Sequence, residues 1–141
     1  MNMFVYEIWS SVVIAVDTNI IIRLAMKDDE TQFQKVIALL KEHQFFISRT
    51  VQLEIEWVLR SRYKRPVVEI ADFFVLLLQK NQIVCENEQA CINAIYCYRL
   101  GADFADALHL TNTQNLPFYT FDERFCKKAI QEGFVSQVNL L

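Results

Sequence analysis

Apolar residues recur along this chain in two alternating patterns, unbroken short runs and helical stripes. Val12 to Val16 is a continuous, mostly β-branched run that ends at Asp17, the pattern of a strand buried on both faces. From about Asp29 to His43, Phe33, Val36, Ile37 and Leu40 fall at i, i+3, i+4 and i+7, which predicts an amphipathic helix. A short strand is expected over Phe45–Ser48. Ser48 or Thr50 is then placed to cap a helix that runs to about Tyr63 on an apolar stripe of Val51, Ile55, Val58 and Leu59. Pro66 breaks the chain and opens a helix rich in Phe and Leu, to about Lys80. Residues 87–99 and 103–114 read as two helices punctuated by Gly101, and 117–121 as a buried strand ending at Asp122. A last helix over 123–131 and a final strand over 134–138 complete the pattern.

Strands that alternate with helices imply an α/β fold built on a parallel sheet. In such sheets ligands sit beyond the carboxyl ends of the strands. Asp17 and Asp122 both occupy that position, and this is the first functional clue.

The bulk properties narrow the field. A chain of 141 residues that is 53% hydrophobic has the size and apolar content of one domain, and 2 Gly and 2 Pro leave little room for linkers. Residues 1–11 are read as an N-terminal extension and 12–141 as the domain. The opening MNMFVYEIWSSVVIAV lacks a basic start, carries Glu7 and leads straight into Asp17, so it is not read as a signal peptide. Charges interrupt every apolar stretch before it reaches membrane-spanning length, and a cytoplasmic protein with no membrane partner is the default. Cys85, Cys91, Cys97 and Cys126 form no C-x-x-C pair and have no His at zinc-finger spacing, so reduced, partly buried thiols are expected. The formal charge of −3 argues at first against a nucleic-acid partner. If five of the 17 acids are gathered into one metal site, however, 12 remain against 14 Lys and Arg, and the rest of the surface is mildly basic.

Five of the acids stand out by context. Asp17 and Asp122 adjoin apolar strands, where a carboxylate is unfavourable unless paired, hydrogen-bonded or metal-bound; a turn or helix cap is the ordinary alternative for either one alone. Glu54 follows Val51 by three and precedes Val58 by four, which puts it on the inward stripe with Glu56 on the other side. A buried salt bridge, for instance with Arg23, is the alternative there. Asp103 and Asp106 stand one turn apart on one helix face, a repulsive spacing unless a cation neutralises it, although Asp103 could simply favour the helix N-terminus. Clustered carboxylates raise one another's pKa unless a metal holds them ionised. An oxygen-only set suits Mg²⁺ or Mn²⁺ rather than zinc. Such ions acidify water and stabilise both oxygens of a phosphodiester displacement.

In order and spacing, VVIAVDTNIIIRL, LEIEWVLRSRY, GADFADALHL and YTFDERF resemble the PIN-domain ribonucleases, and among them the VapC-type toxins of bacterial toxin–antitoxin pairs. The likeness runs from about Val12 to the C-terminus. D-T-N alone is weak evidence, but four ordered motifs together are specific. The resemblance implies a PIN-like three-layer α/β/α sandwich with a central, mostly parallel sheet. It assigns Asp17, Glu54, Asp106 and Asp122 to a catalytic, metal-binding quartet, with Asp103 as a frequent fifth ligand. Thr120 matches a residue that steadies the metal site, Asn19 one that orients the first acids, and Arg23 is a supporting residue or an ordinary ion-pair partner. The activity implied is endonucleolytic hydrolysis of RNA, such as tRNA or rRNA, by Mg²⁺- or Mn²⁺-activated water, leaving a 3′-hydroxyl and a 5′-phosphate. A homodimer and a cognate antitoxin are implied partners. The segment 1–11 departs from the family pattern, which brings the first Asp close to the initial Met.

Other features have quieter readings. Arg60, Arg62, Lys64 and Arg65 suit a helix C-terminus, with phosphate contact to RNA as the sharper alternative. His109, one turn beyond Asp106, is read as packed or supporting rather than ligating. Trp57, Phe73, Phe74 and Tyr98 are read as core or dimer contacts. An aspartyl phosphatase of the haloacid dehalogenase type needs D-x-D, and Asn19 cannot deliver the required proton. The absence of a Gly-rich phosphate loop removes nucleoside triphosphate readings. A PIN domain that only binds a partner, without catalysis, remains the non-enzymatic alternative.

Overall fold

The apolar runs and stripes become five strands and six helices in the computed structural model, which describes residues 12–124 and 138–141. The expected extension 1–11, the last helix from residue 125 onward, residues 134–137 and Cys126 lie outside the described residues. The chain forms two compact units, Met1–Glu86 and Asn87–Leu141.

In the first unit the order is β1 (Val12–Ala15), α1 (Thr18–Met26), α2 (Glu30–Glu42), β2 (His43–Ile47), α3 (Arg49–Ser61), α4 (Val67–Leu78) and β3 (Ile83–Cys85). The strands pair in parallel in the order β1-β2-β3, with Ile14 opposite Phe45 and Phe45 opposite Ile83. Parallel pairing follows from the helices that intervene between successive strands. Helix α2 packs against β2 and α4 against β3. Phe45 and Ile47 on the middle strand are fully buried, with Ile21, Ile55, Ile70 and Phe74 among the rest of this core. The expectation that β1 is buried on both faces is corrected, since Val12 is 60% exposed and Val13 50%. β1 takes the edge of this three-stranded sheet, and a continuous apolar run cannot by itself tell an edge strand from a central one.

Local chemistry sets the helix ends. Asp29 accepts a hydrogen bond from Gln32 N at 2.9 Å, and Ser48, one of the two expected caps, from Val51 N at 3.3 Å. Gln52 is fully buried and its Nε2 donates to the carbonyls of Ile47 and Glu86, joining the ends of β2 and β3. The Glu86 carboxylate accepts from the Arg49 backbone N–H at 2.8 Å, at the start of α3. That bond, against the opposing effect of burial and with help from the Arg49 guanidinium, holds the Glu86 carboxyl below the usual carboxylate range.

The second unit contains α5 (Glu88–Arg99), α6 (Phe104–Thr111), β4 (Phe118–Thr120) and β5 (Val138–Leu140), with β4 and β5 parallel. Gly101 follows α5 at φ 100°, a conformation that a side chain would disfavour, and it acts as the expected stop. Tyr98 and Phe104 meet edge to face at 5.1 Å where α5 packs on α6. Leu110 carries the packing on to Phe118 and Val138. Of the aromatic residues singled out earlier, Phe74 and Tyr98 are core, whereas Trp57 is 56% exposed and belongs to no interior. Cys85, Cys91 and Cys97 are buried thiols outside any disulfide, in line with the expected reduced, partly buried thiols. Among the described residues no helix is long and apolar enough to cross a membrane.

Candidate functional site

Asp17 follows β1 directly and caps α1, its Oδ1 accepting from Ile20 N at 3.3 Å. The capping role raised for it is therefore real, and the carboxylate remains exposed, with lone pairs left over for another partner. Asp17, Asn19, Ile20, Arg23, Gln32, Lys35 and Val36 line a cleft of about 370 Å³ between α1 and α2. Arg23 is committed elsewhere. Its guanidinium pairs with Asp28, whose second carboxylate oxygen accepts from the Tyr63 hydroxyl at 3.1 Å. The ordinary ion pair anticipated for Arg23 is present, but with Asp28 rather than Glu54.

Helix α3 corrects one expectation. Glu54 is exposed and Glu56 is buried, the reverse of the placement drawn from the stripe. The buried face runs through Gln52, Ile55, Glu56, Val58 and Leu59, so Ile55, Val58 and Leu59 of the expected stripe do face inward and the phase shifts only from Val51 and Glu54 toward Gln52 and Glu56. A glutamine at position 52 hid this phase, because it is buried as a hydrogen-bonding clasp and not as an apolar group. The inward acid does have a partner, since Arg60 Nε donates to Glu56 at 2.7 Å. Sequence reasoning missed both the clasp and this pair, although the Glu56–Arg60 spacing of i, i+4 was a usable signal. Glu54, turned to solvent, is left accessible.

In the second unit the acids crowd. Asp103 is the N-cap of α6 and accepts from Asp106 N at 3.2 Å, so the helix N-terminus role raised for Asp103 is present and the two stand one turn apart. Asp103 stands just before the helix and Asp106 in its first turn. Thr120 ends β4 and its Oγ1 accepts from the Asp122 backbone N–H at 3.0 Å, which fixes the turn carrying that carboxylate. The Asp106 carboxyl is pushed up, first by burial and then by the negative charges of Asp103 and Asp122, with His109 pulling weakly the other way. His109 is exposed and acts on Asp106 through its charge, in line with a supporting role.

Asp106 gives a pH prediction. Its folded pKa lies above the unfolded value, so the stability it confers is fully present below the unfolded pKa and is lost as pH rises through the folded one. Without divalent ions, Asp106→Asn is therefore expected to melt at a higher temperature than wild type at pH 7, with the gap closing at about pH 3, below the ordinary value of an aspartate carboxyl. Equal melting temperatures at pH 7 would show that the three carboxylates do not oppose one another.

The donor chemistry fits a hard divalent cation. It is oxygen-only and carries an excess of negative charge that such an ion would relieve. Among the described residues, no three His, Cys, Asp or Glu side chains already enclose an ion-sized site. The basic run after α3 is partly spent, since Arg60 pairs with Glu56 and Arg65 with Glu69, while Arg62 and Lys64 follow the helix end.

Comparison with curated proteins gave no match, and comparison with solved structures gave none. The PIN domain is generally a nuclease fold, usually dependent on divalent metal ions, and an α/β framework with parallel strands is its architecture. Since the family model described as PIN domain matches residues 14–131, the greater part of the sequence, this chain belongs to the PIN domain family.

Proposed function

We propose that this chain is a divalent-metal-dependent endoribonuclease and the toxin of a VapC-type toxin–antitoxin pair. The observation that carries the nuclease half is the placement of Asp103 at the start of α6, Asp106 in its first turn and Asp122 just after β4, where burial first and the charges of Asp103 and Asp122 next push the Asp106 carboxyl up. A family whose members usually employ divalent ions has a use for that repulsion. Asp17, Glu54, Asp106 and Asp122 are assigned to the ion, with Asp103 as a further ligand, and Mg²⁺ or Mn²⁺ suits the set. When bound, such an ion acidifies water and stabilises charge on phosphodiester oxygens.

The protein's own contribution is placement. Thr120 fixes the backbone beneath Asp122, and the Asp17 cap on α1 holds that carboxylate at the strand end. Asn19 is assigned to orienting the acids, and His109 to tempering the charge of Asp106. Cleavage leaves a 3′-hydroxyl and a 5′-phosphate on a structured RNA such as tRNA or rRNA. The toxin half, with its antitoxin partner, homodimer and cytoplasmic setting, rests on the four sequence motifs.

A second reading, a partner-binding module without catalysis, is favoured by the lack of a preassembled ion cage among the described residues. Incubation with RNA decides between them. Cleavage is expected in millimolar Mg²⁺ or Mn²⁺, halted by EDTA, with 5′-phosphates on the new ends. RNA left intact under every divalent ion tried would reject the enzyme and leave the module.

A further inference from the structure

We propose that Lys35, on the α2 side of the cleft that holds Asp17, is a phosphate-binding residue that seats the RNA backbone next to Asp17. The proposal deepens the ribonuclease reading and names a contact that the four motifs do not contain, since Lys35 lies between the first and second of them.

The cleft has a volume of about 370 Å³, at the lower end of the range for sites that hold small ligands. Its walls are mixed. Ile20 and Val36 supply apolar surface, Asn19 and Gln32 supply amide donors and acceptors, and three charged side chains, Asp17, Arg23 and Lys35, complete the lining. The two cations are not equivalent. Arg23 is engaged by Asp28, which also receives the Tyr63 hydroxyl, so its charge is largely answered within the fold. Lys35 is exposed on α2 and has no ion-pair partner among the described residues.

An exposed ammonium outside any ion pair among the described residues attracts an anion, and the carboxylate in the same cleft attracts a cation. A phosphodiester brings the anion, and the ion proposed at Asp17 is the cation. Among the described residues no aromatic side chain lines the cleft, so these offer a base no stacking platform there. The contact would position the strand without reading its sequence. Lys is suited to this because it serves phosphate as a flexible point charge.

Binding of a fluorescein-labelled single-stranded RNA by the full chain, in Ca²⁺ and across a salt series, tests this without relying on turnover. Lys35→Ala is expected to weaken binding about three- to tenfold and to reduce the slope of log K against log salt by about 0.7, the loss of one phosphate contact on a single strand. Lys35→Arg is expected to keep the slope. Lys41→Ala, on the same helix but outside the cleft, is expected to match wild type. In Mg²⁺, Lys35→Ala is expected to raise KM with kcat within about twofold, the mark of a lost ground-state contact. An affinity and salt slope unchanged by Lys35→Ala would overturn the proposal even if wild type cleaves RNA. A wild type that binds RNA through Lys35 but never cleaves it would sink the ribonuclease reading instead.

Discussion

Replacing Asp17 with Asn is expected to lower kcat/KM for RNA cleavage by about 10³-fold while leaving the fold intact, in line with the loss of a group that acts on charge in the reacting complex. The substitution separates the two jobs of this side chain. As a cap, Asp17 gives one oxygen to Ile20 N, and Asn caps a helix as well as Asp does, so α1 keeps its start. In the metal-ligand role proposed for it, Asp17 would give a negative charge, which Asn lacks. Melting temperature should therefore hold while activity falls. Asp106→Asn is expected to lose activity to a similar degree while gaining stability in the metal-free protein, because it removes a charge disfavoured first by burial and then by Asp103 and Asp122. Rates close to wild type in both variants would mean that the cleavage comes from a contaminating nuclease. A matching collapse of stability in Asp17→Asn would instead assign Asp17 a purely structural part.

The largest expected effect on stability comes from Phe45. It is fully buried on the middle strand of the first unit's sheet, and pairs with Ile14 on one side and Ile83 on the other. Its backbone N–H is bonded to Gln82 at 2.7 Å, so the strand is held and cannot readily collapse into the space a smaller residue would leave. Phe45→Ala should then lose both the transfer free energy of the ring and the packing around the cavity, about 3–5 kcal/mol. That corresponds to a fall of roughly 10–20 °C in Tm for a chain of this size, against a total stability of about 5–15 kcal/mol. Phe121→Ala, at a side chain 79% exposed, is expected to change stability by less than about 0.5 kcal/mol. Denaturant unfolding of the two variants side by side checks the contrast. A Phe45→Ala protein as stable as wild type would mean that the β2 core does not carry the first unit.

Much of the framework was legible because apolar periodicity reports directly on burial. The stripe Phe33, Val36, Ile37 and Leu40 gave α2, and Ser48 and Gly101 marked helix ends through their own hydrogen bonding and backbone freedom. Helix α1 was missed because three consecutive Ile residues at 20–22 carry strand-like β-branching. The cap on Asp17 was the signal that should have outweighed them. β3 spans only Ile83–Cys85, too short for any period to register. In α3 the apolar stripe of Ile55, Val58 and Leu59 held, and only the placement of Glu54 and Glu56 failed, for a different reason. Polar Gln52 and Glu56 are buried because each has a partner, Gln52 at the carbonyls of Ile47 and Glu86 and Glu56 at Arg60. Sequence pattern ranks residues by hydrophobicity and cannot see partners that the fold supplies.

The candidate site was legible in a narrower sense. Asp122 and Thr120 could be placed from the strand that carries them, and Asp103 and Asp106 from the glycine before their helix. That Asp103 caps the helix by accepting from Asp106 N depends on one residue of register. Lys35 had no sequence signal at all, since an exposed lysine on an amphipathic helix looks like any solvated charge. Only the cleft it lines sets it apart.

The capture of a hard cation by these acids is tested most directly by titrating Mn²⁺ into the metal-free protein and following bound ion by electron paramagnetic resonance. Saturable binding at submillimolar concentration is predicted for wild type, competed by Mg²⁺ and abolished in Asp17→Asn/Asp106→Asn. Equal binding by the double variant, or none by either protein, would contradict the account.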